Sequence, residues 1–200
     1  MERYYHKNLA LRLNYVRTFT AMKITLLLSA SFVILSSFSD PSSTDIEWAA
    51  YRSLSWEDFK GVADENSHGD ASTAIRISAK PYLKRGKIFY DVNAFFLPEK
   101  SWYKNKSENL LAHEQLHFDL AELYARKVRY LISDYRKMGV KDHKKYHAAI
   151  QQLLNESNRI DQQYDYETLH GSLKAKQASW ERTIRLELAI LSQYSKANWR

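Results

Sequence analysis

The sequence predicts an α+β fold in which a small antiparallel β-sheet or hairpin packs on a mainly helical bundle. Three observations predict it: the low counts of Gly (5) and Pro (3), a β-rich region with period two between residues 71 and 97, and long helical patterns after Ser107. With 200 residues, 44% hydrophobic and 14% aromatic, the composition is typical of one globular domain. Few glycines and prolines argue against a loop-rich sandwich.

The β-rich region contains two runs, residues 74–79 and 87–95, in which apolar residues are frequent. Between the runs, the segment Lys84-Arg85-Gly86-Lys87 is typical of a hairpin turn, and Gly86 is expected to supply the positive φ. Pro81 is expected near a strand end or on an edge strand, because it cannot donate a ladder hydrogen bond.

Three helices are predicted for the rest of the chain. Ser107 is a suitable N-cap for the first, and Gly139 is expected to end it. The second begins after Asp142 and runs to about Tyr164, and the third follows Gly171. Residues at helical spacing on the first helix predict one buried stripe, formed by Leu110, His113, His117, Leu120, Ala121, Tyr124, Val128 and Leu131.

An uncharged apolar stretch at residues 24–38 dominates the N-terminal region. At about 1.5 Å per residue it is too short to span a bilayer of about 30 Å, but it has the length of the core of an export signal. Ser37 and Ser39 are small residues at the −3 and −1 positions before Asp40. Residues 1–39 are therefore expected to be a signal peptide, with Met22 as an alternative start, or else an N-terminal membrane anchor. Residues 40–200 are expected to form a single domain of an exported protein, periplasmic or secreted.

Composition also excludes several classes of function. The absence of Cys excludes a disulfide scaffold, a thiolate zinc site, a cysteine nucleophile and a lipoprotein anchor, so any metal must bind His, Asp or Glu. The net charge is +7, but residues 1–39 contain five basic residues and one acidic residue, which leaves +3 for the rest. No nucleic-acid partner is expected, and membrane contact is expected only through an uncleaved signal or anchor.

The pentapeptide His113-Glu114-Gln115-Leu116-His117 predicts a zinc site of the zincin type, and hence a zincin-like bundle in a zinc metallopeptidase-like domain. Histidines four apart lie on the same helix face and can bind one Zn²⁺ at about 2.0–2.1 Å. Glu114 is displaced by about 100° around the helix axis. It is therefore expected to act as a base for a zinc-bound water and not as a ligand. The alternative is a pair of hydrogen-bonded histidines in a helical core.

A catalytic zinc requires a third protein ligand. The segment from residue 164 to residue 171 contains the candidates: His170 is the first choice, and Asp165 and Glu167 are ligands or groups that orient a zinc-bound imidazole. Glu122 is a further candidate ligand, although pairing with Arg126 four residues later is the more ordinary role for it.

Two tyrosines and a second histidine pair complete the candidates. Tyr164 or Tyr166 is expected either to donate a hydrogen bond to the oxyanion of the reaction or simply to pack in the core. His143 and His147 are also four apart, but two lysines lie between them and no glutamate takes the position of a base. A solvated first helical turn is the expected role of that pair.

Several segments together resemble an uncharacterised bacterial family of predicted secreted zinc-dependent proteases. The resemblance covers about residues 47–185 and implies that the HExxH helix and the later block join at one zinc through His113, His117 and His170. Many members of that family have Gly where this sequence has Leu116, and the larger side chain is expected to narrow access to the site. The segments are LSWEDFKG at 54–61, ASTA at 71–74, AHEQLHFDLAE at 112–122, Tyr164-Asp165, Glu167-Thr168, His170-Gly171, Gln177 and Trp180.

The sequence thus predicts a secreted or periplasmic zinc-dependent hydrolase, a peptidase acting on protein or peptide substrates with Zn²⁺ as cofactor. The alternative is a zinc-binding cell-envelope scaffold or interaction domain without turnover. A third hypothesis is a metal-free helical interaction module.

Overall fold

Residues 44–67, 69–85 and 87–199 are described by the computed structural model, and they form the predicted α+β fold. The expected signal peptide or anchor at residues 1–39 lies outside the described residues. The elements are β1 (Ile46–Glu47), β2 (Ala71–Ser72), β3 (Ile75–Lys84), β4 (Lys87–Phe96), β5 (Trp102–Tyr103), α1 (Glu108–Lys137), α2 (His143–Thr168) and α3 (Lys174–Ile190), with short 3-10 helices at Trp56–Asp58, Pro98–Lys100 and Ser192–Tyr194.

The main sheet has three antiparallel strands in the order β1-β4-β3, and β2 pairs separately with β5. Strands β3 and β4 form the predicted hairpin, although β3 continues to Lys84 because its pairing with β4 extends up to the turn. In that turn Arg85 has a positive φ of 51°. Gly86, which was expected to supply the positive φ, lies outside the described residues. Pro81 lies on the edge strand β3, as expected for a residue without an N–H.

Helix α1 is the central element of the fold. Its start and end are as predicted: the Ser107 hydroxyl accepts a hydrogen bond from the Leu110 N–H, and Gly139 follows the helix with a φ of 70°. The prediction of a single buried stripe is too narrow, because the hairpin packs on one side of α1 and helices α2 and α3 pack on another. The hairpin side includes Phe118, Ala121, Ala125, Val128 and Ile132, and the side toward the other helices includes Leu116, Leu120, Leu123 and Tyr124.

Helices α2 and α3 form the other layer. Asp142 is the N-cap of α2, and its carboxylate accepts a hydrogen bond from the Lys144 N–H. The helix continues four residues beyond Tyr164, and a short connection at residues 169–173 leads into α3. No helix in the described part of the chain combines the length and the apolar character needed to cross a bilayer.

A buried ionic network joins α1 to the sheet and to the C-terminal segment. Glu122 accepts hydrogen bonds from Arg126 Nε at 2.8 Å and from Arg129 Nη1 at 3.0 Å. Arg129, which is 1% exposed, also donates to the carbonyl oxygens of Val92 and Tyr194. Glu122 therefore compensates the charge of a fully buried guanidinium, and it is not available as a metal ligand.

We expect Glu122→Gln to lower the free energy of unfolding by about 3–5 kcal/mol, because it leaves the buried Arg129 without a counter-charge. The matched control is Glu181→Gln, which removes one partner of the exposed ion pair with Arg185. That change should cost less than about 0.5 kcal/mol. Chemical denaturation measures both, and effects of similar size would contradict the assigned role of Glu122.

Candidate metal centre

His113 and His117 lie on consecutive turns of α1, where it faces α2, and are 1% and 4% exposed. Residues four apart share a helix face, so the two imidazoles approach each other. Their Nε2 atoms are 3.3 Å apart, and their ring centroids are 4.8 Å apart. The structure thus brings together the two histidines of the pentapeptide.

Two carboxylates, also four residues apart, face this pair from α2. Asp165 Oδ1 lies 3.0 Å from His113 Nε2 and 3.0 Å from His117 Nε2. Asp161 Oδ1 lies 2.6 Å from His117 Nδ1. Both aspartates are buried, so the two helices meet here through polar side chains in an otherwise apolar interface.

The hydrogen bonds at the outer nitrogens determine which imidazole atoms face inward. His117 Nδ1 donates to the Asp161 carboxylate, and His113 Nδ1 is 3.2 Å from Gln177 Oε1. Gln177 Oε1 also accepts a hydrogen bond from the Tyr164 hydroxyl at 2.6 Å, which assigns it as an oxygen acceptor. When both imidazoles are neutral and carry their proton on Nδ1, the Nε2 lone pairs point toward Asp165 Oδ1.

These three inward-facing atoms fit a divalent cation. Atoms bound to a tetrahedral Zn²⁺ at about 2.0–2.1 Å are about 3.3 Å apart, and the distances among His113 Nε2, His117 Nε2 and Asp165 Oδ1 are 3.0, 3.0 and 3.3 Å. All three are Lewis bases when the imidazoles are neutral, so they repel one another unless a proton or cation lies among them. Two imidazoles and a carboxylate are also a donor set that zinc binds commonly.

The ionisation of the cluster shows the same preference for positive charge. Burial acts to lower the pKa of His117, but Asp161 and Asp165 outweigh it and raise that pKa well above its usual range. Burial acts to raise the pKa of Asp165, but His117 and the hydrogen bonds from the imidazoles hold it well below its usual range. A proton on His117 supplies this charge, and a cation among these donors would take the place of that proton.

His170 lies at the exposed side of the cluster. Its Nδ1 is 3.5 Å from Asp165 Oδ1, and its side chain is 46% exposed. Its hydrogen bond with Asp165 raises its pKa. Ligand atoms of His113, Asp165 and His170 all lie within 4.8 Å of one another. Of the three candidate ligands in segment 164–171, the structure therefore brings Asp165 to the centre of the cluster, places His170 at its edge and leaves Glu167 outside.

A left-handed helix end positions His170. Leu169, His170 and Gly171 have φ values of 46°, 51° and 79°, and the Thr168 hydroxyl accepts a hydrogen bond from the Gly171 N–H. The Asn109 side chain donates to the Gly171 carbonyl at 2.8 Å, which ties this end of α2 to the first turn of α1. Two consecutive non-glycine residues in this conformation are strained, a feature that is frequent at functional sites.

Glu114 is 3% exposed and lies beside the two histidines. Burial raises its pKa, which the imidazoles of His117 and His113 and the side chain of Thr73 partly oppose. Thr73 lies in the connection between β2 and β3, so this connection approaches the carboxylate. Glu114 is thus a buried acid-base group next to the cluster and not part of its converging donor set.

The remaining candidates have other contacts. Glu122 belongs to the arginine network described above, and Glu167 accepts hydrogen bonds from Gln163 and Trp180. The Tyr164 ring stacks on His113 with centroids 4.6 Å apart, and its hydroxyl is engaged by Gln177. Tyr166 is 70% exposed. The structure places none of the four among the converging atoms.

Two partners of the histidines received no role from the sequence. Asp161 precedes Asp165 by four residues, so the carboxylates on α2 repeat the spacing of the histidines on α1. That repeated spacing was a detectable signal. Gln177 is among the residues that carry the family resemblance, but its spacing gives no comparable signal, because only the turn at residues 169–173 brings α3 back to His113.

The fold and cluster define a class: an α+β protein with a buried histidine–aspartate cluster between two helices. Residues 97–171 match the model of a family described as "Bacterial protein of unknown function (DUF922)". That range contains all of α1 and α2 and every histidine and aspartate of the cluster. No curated protein and no solved structure matches the chain.

Gly171 offers a test of how closely the turn packs on the site. An added Cβ would lie 2.9 Å from His113 Cβ and 3.0 Å from its Cγ, whereas a Cβ on Gly139 would meet no atom within 4 Å. Both glycines have positive φ, so Gly139→Ala is a matched control for backbone strain.

We expect Gly139→Ala to destabilise the protein by about 1 kcal/mol through strain alone. Gly171→Ala should cost about 2–3 kcal/mol, because the contact with His113 adds to that strain. It should also weaken zinc binding at least about tenfold by displacing the imidazole. Denaturation curves and zinc titrations measure these effects, and equal behaviour of the two variants would contradict the packing described.

Proposed function

We propose that this protein is a zinc-dependent hydrolase that cleaves peptide bonds. The observation that carries the proposal is the convergence of His113 Nε2, His117 Nε2 and Asp165 Oδ1 within 3.0–3.3 Å, beside the buried carboxylate of Glu114. His113, His117 and Asp165 would hold the metal, and His170 is near enough to contribute from the exposed side.

The chemistry requires a Lewis acid next to a base. Bound Zn²⁺ would polarise a substrate carbonyl and make water a better nucleophile at neutral pH. Glu114 would accept the proton of the attacking water at its carboxylate and deliver it to the leaving amine. Asp161 and Gln177 would hold the two imidazoles in the required orientation through their Nδ1 protons.

The edge strand β3 supports peptides as the substrate class. It begins two residues after Thr73, which faces Glu114, and no strand in the described residues pairs with its outer edge. An extended substrate could therefore add to this edge by main-chain hydrogen bonds. Pro81 has no N–H to offer, so pairing is expected only along the half of β3 nearer the site.

We also propose that the protein is exported to the periplasm or beyond. The support is the apolar stretch at residues 24–38 with its basic flank and small residues before Asp40. An uncleaved anchor at the same residues is the alternative for localisation.

A second candidate function is a zinc-binding scaffold of the cell envelope without turnover. It is favoured by the number of donors: if His170 joins His113, His117 and Asp165, four protein ligands close a tetrahedral site, as in structural zinc centres. Loss of Glu114 would then have no effect on function.

Zinc content tests the site itself. We expect the purified protein to bind about one equivalent of Zn²⁺, and His117→Ala or Asp165→Asn to weaken binding at least about 100-fold. Asp161→Asn should cost about 10- to 100-fold, because it removes an orienting partner only. His147→Ala is the matched control, since His147 has the same spacing from His143 but is exposed.

Competition with a chromogenic chelator and elemental analysis give these affinities. Wild-type protein with less than about a tenth of an equivalent after growth with zinc would refute the metal centre. Equal losses in His147→Ala and His117→Ala would refute its location.

Glu114→Gln tests catalysis. We expect the variant to retain wild-type zinc content but to lose at least about 100-fold in peptide hydrolysis, because an amide cannot accept the proton. Mass spectrometry of a peptide library incubated with each protein, with and without a chelator, measures the activity. Zinc-loaded wild-type protein that cleaves no peptide, or a Glu114→Gln variant as active as wild type, would favour the scaffold instead.

A further inference from the structure

The guanidinium of Arg136 lies near the C-terminal end of α1. Arg136 follows His113 by about six helical turns, or about 35 Å along the helix axis. Its Nη2 is buried and has no hydrogen-bond partner among the described residues. Leaving a buried guanidinium N–H unsatisfied is costly, and such a group in a folded protein calls for an explanation.

Aromatic rings hold this guanidinium in place. Its Cζ lies 4.7 Å from the centroid of the Phe89 ring and 5.7 Å from that of Trp199. The Trp199 indole is itself fixed by a hydrogen bond of 3.0 Å to the Ser133 hydroxyl. Arg136 therefore cannot turn to another partner without leaving two favourable cation–π contacts.

The Arg136 side chain borders a cavity of about 170 Å³. A cavity of about 150 Å³ holds a benzene ring, so this one has room for an aromatic or branched apolar side chain. Its charged groups are Arg136 and Lys196, the latter paired with Glu47, together with the exposed Asp91. The cavity is lined by Tyr82, Phe89, Tyr90, Asp91, Val92, Arg136, Lys196 and Trp199.

Main-chain groups of β4 border the same cavity. Pro81 is the cross-strand neighbour of Tyr90 and has no N–H, so the N–H and C=O of Tyr90 point away from β3. On that side of β4, the Ala94 carbonyl is bound by the Trp48 N–H and the Val92 carbonyl by Arg129. Tyr90 comes next along this edge, and no described strand pairs with it there.

We propose that this cavity binds a monocarboxylate joined to an apolar or aromatic group. The Arg136 guanidinium would bind the carboxylate at the cavity wall, and the aromatic walls would contact the apolar part. Asp91 disfavours a doubly charged phosphate. The carboxylate has two sources, a small organic acid or the C-terminal residue of a peptide, and a peptide could also pair with the Tyr90 main chain.

The test compares N-acetylphenylalanine with its amide by calorimetric titration of the purified protein, with chelator present so that no metal binds the acid. We expect saturable binding of the acid and at least about tenfold weaker binding of the amide. Arg136→Met keeps an unbranched apolar chain between the two rings and should weaken acid binding at least about tenfold. Lys137→Met removes a neighbouring exposed charge and should change it less than about twofold.

Equal affinities for acid and amide, or no saturation by the acid below about 10 mM, would overturn the proposal and leave Arg136 as a structural clamp between two rings. Undiminished binding by Arg136→Met would overturn it as well. If that variant does not fold, the acid and amide titrations of the wild-type protein decide alone.

Phenylacetate and N-acetyl-glycyl-phenylalanine distinguish the two sources of the carboxylate. Both should bind and both should lose affinity on amidation. At least about tenfold tighter binding of the dipeptide would identify a peptide C-terminus, through main-chain bonds to the β4 edge. Similar affinities would identify a small organic acid.

Discussion

The interface between α1 and α2 depends on the mutual satisfaction of four buried polar side chains. His113 and His117 on one helix and Asp161 and Asp165 on the other are each nine-tenths or more buried, so none of them can rely on bulk water. Each pair repeats after four residues, and only one register of the two helices brings all four into contact. A slip by one turn would leave a carboxylate and an imidazole buried without partners, at a cost of several kcal/mol. The polar pairs thus set the register, whereas the apolar contacts around them add stability without the same specificity.

That register has consequences beyond the two helices. With α2 fixed against α1, its C-terminal end reaches the first turns of α1, where Gly171 meets His113 and Asn109 holds the turn. The left-handed turn then reverses the chain so that Gln177 of α3 returns to the same imidazole. Strain at Leu169 and His170 is tolerated because hydrogen bonds on both sides of the turn fix it. One histidine is therefore positioned by three helices.

Much of this arrangement could be predicted from the sequence, and the exceptions have physical causes. The hairpin, the caps at Ser107 and Asp142 and the histidine pair follow from local patterns. Asp161 received no role from the sequence because it lies outside the segment 164–171 that contains most of the candidate ligands, although its spacing from Asp165 matches that of the histidines. The double burial of α1 and the return of Gln177 arise from tertiary packing, which local periodicity does not encode. For the same reason, local patterns do not show that Asp165 lies closest to the two histidines, with His170 at the edge and Glu167 turned to other partners.

The charged groups along α1 differ in whether the chain itself supplies all their hydrogen-bond partners. In the middle of the helix, Glu122 and Arg129 satisfy each other and the adjacent carbonyl oxygens, so this network is closed within the chain. Toward the N-terminal end, His113 Nε2, His117 Nε2 and Asp165 Oδ1 converge, and they require a proton or a cation among them. At the C-terminal end, a guanidinium N–H is buried without an acceptor among the described residues. Closed networks stabilise a fold, but a surplus of acceptors or of donors at a fixed place is complementary to something outside the chain. This contrast supports the two sites proposed above, a cation site at the start of α1 and an anion site at its end.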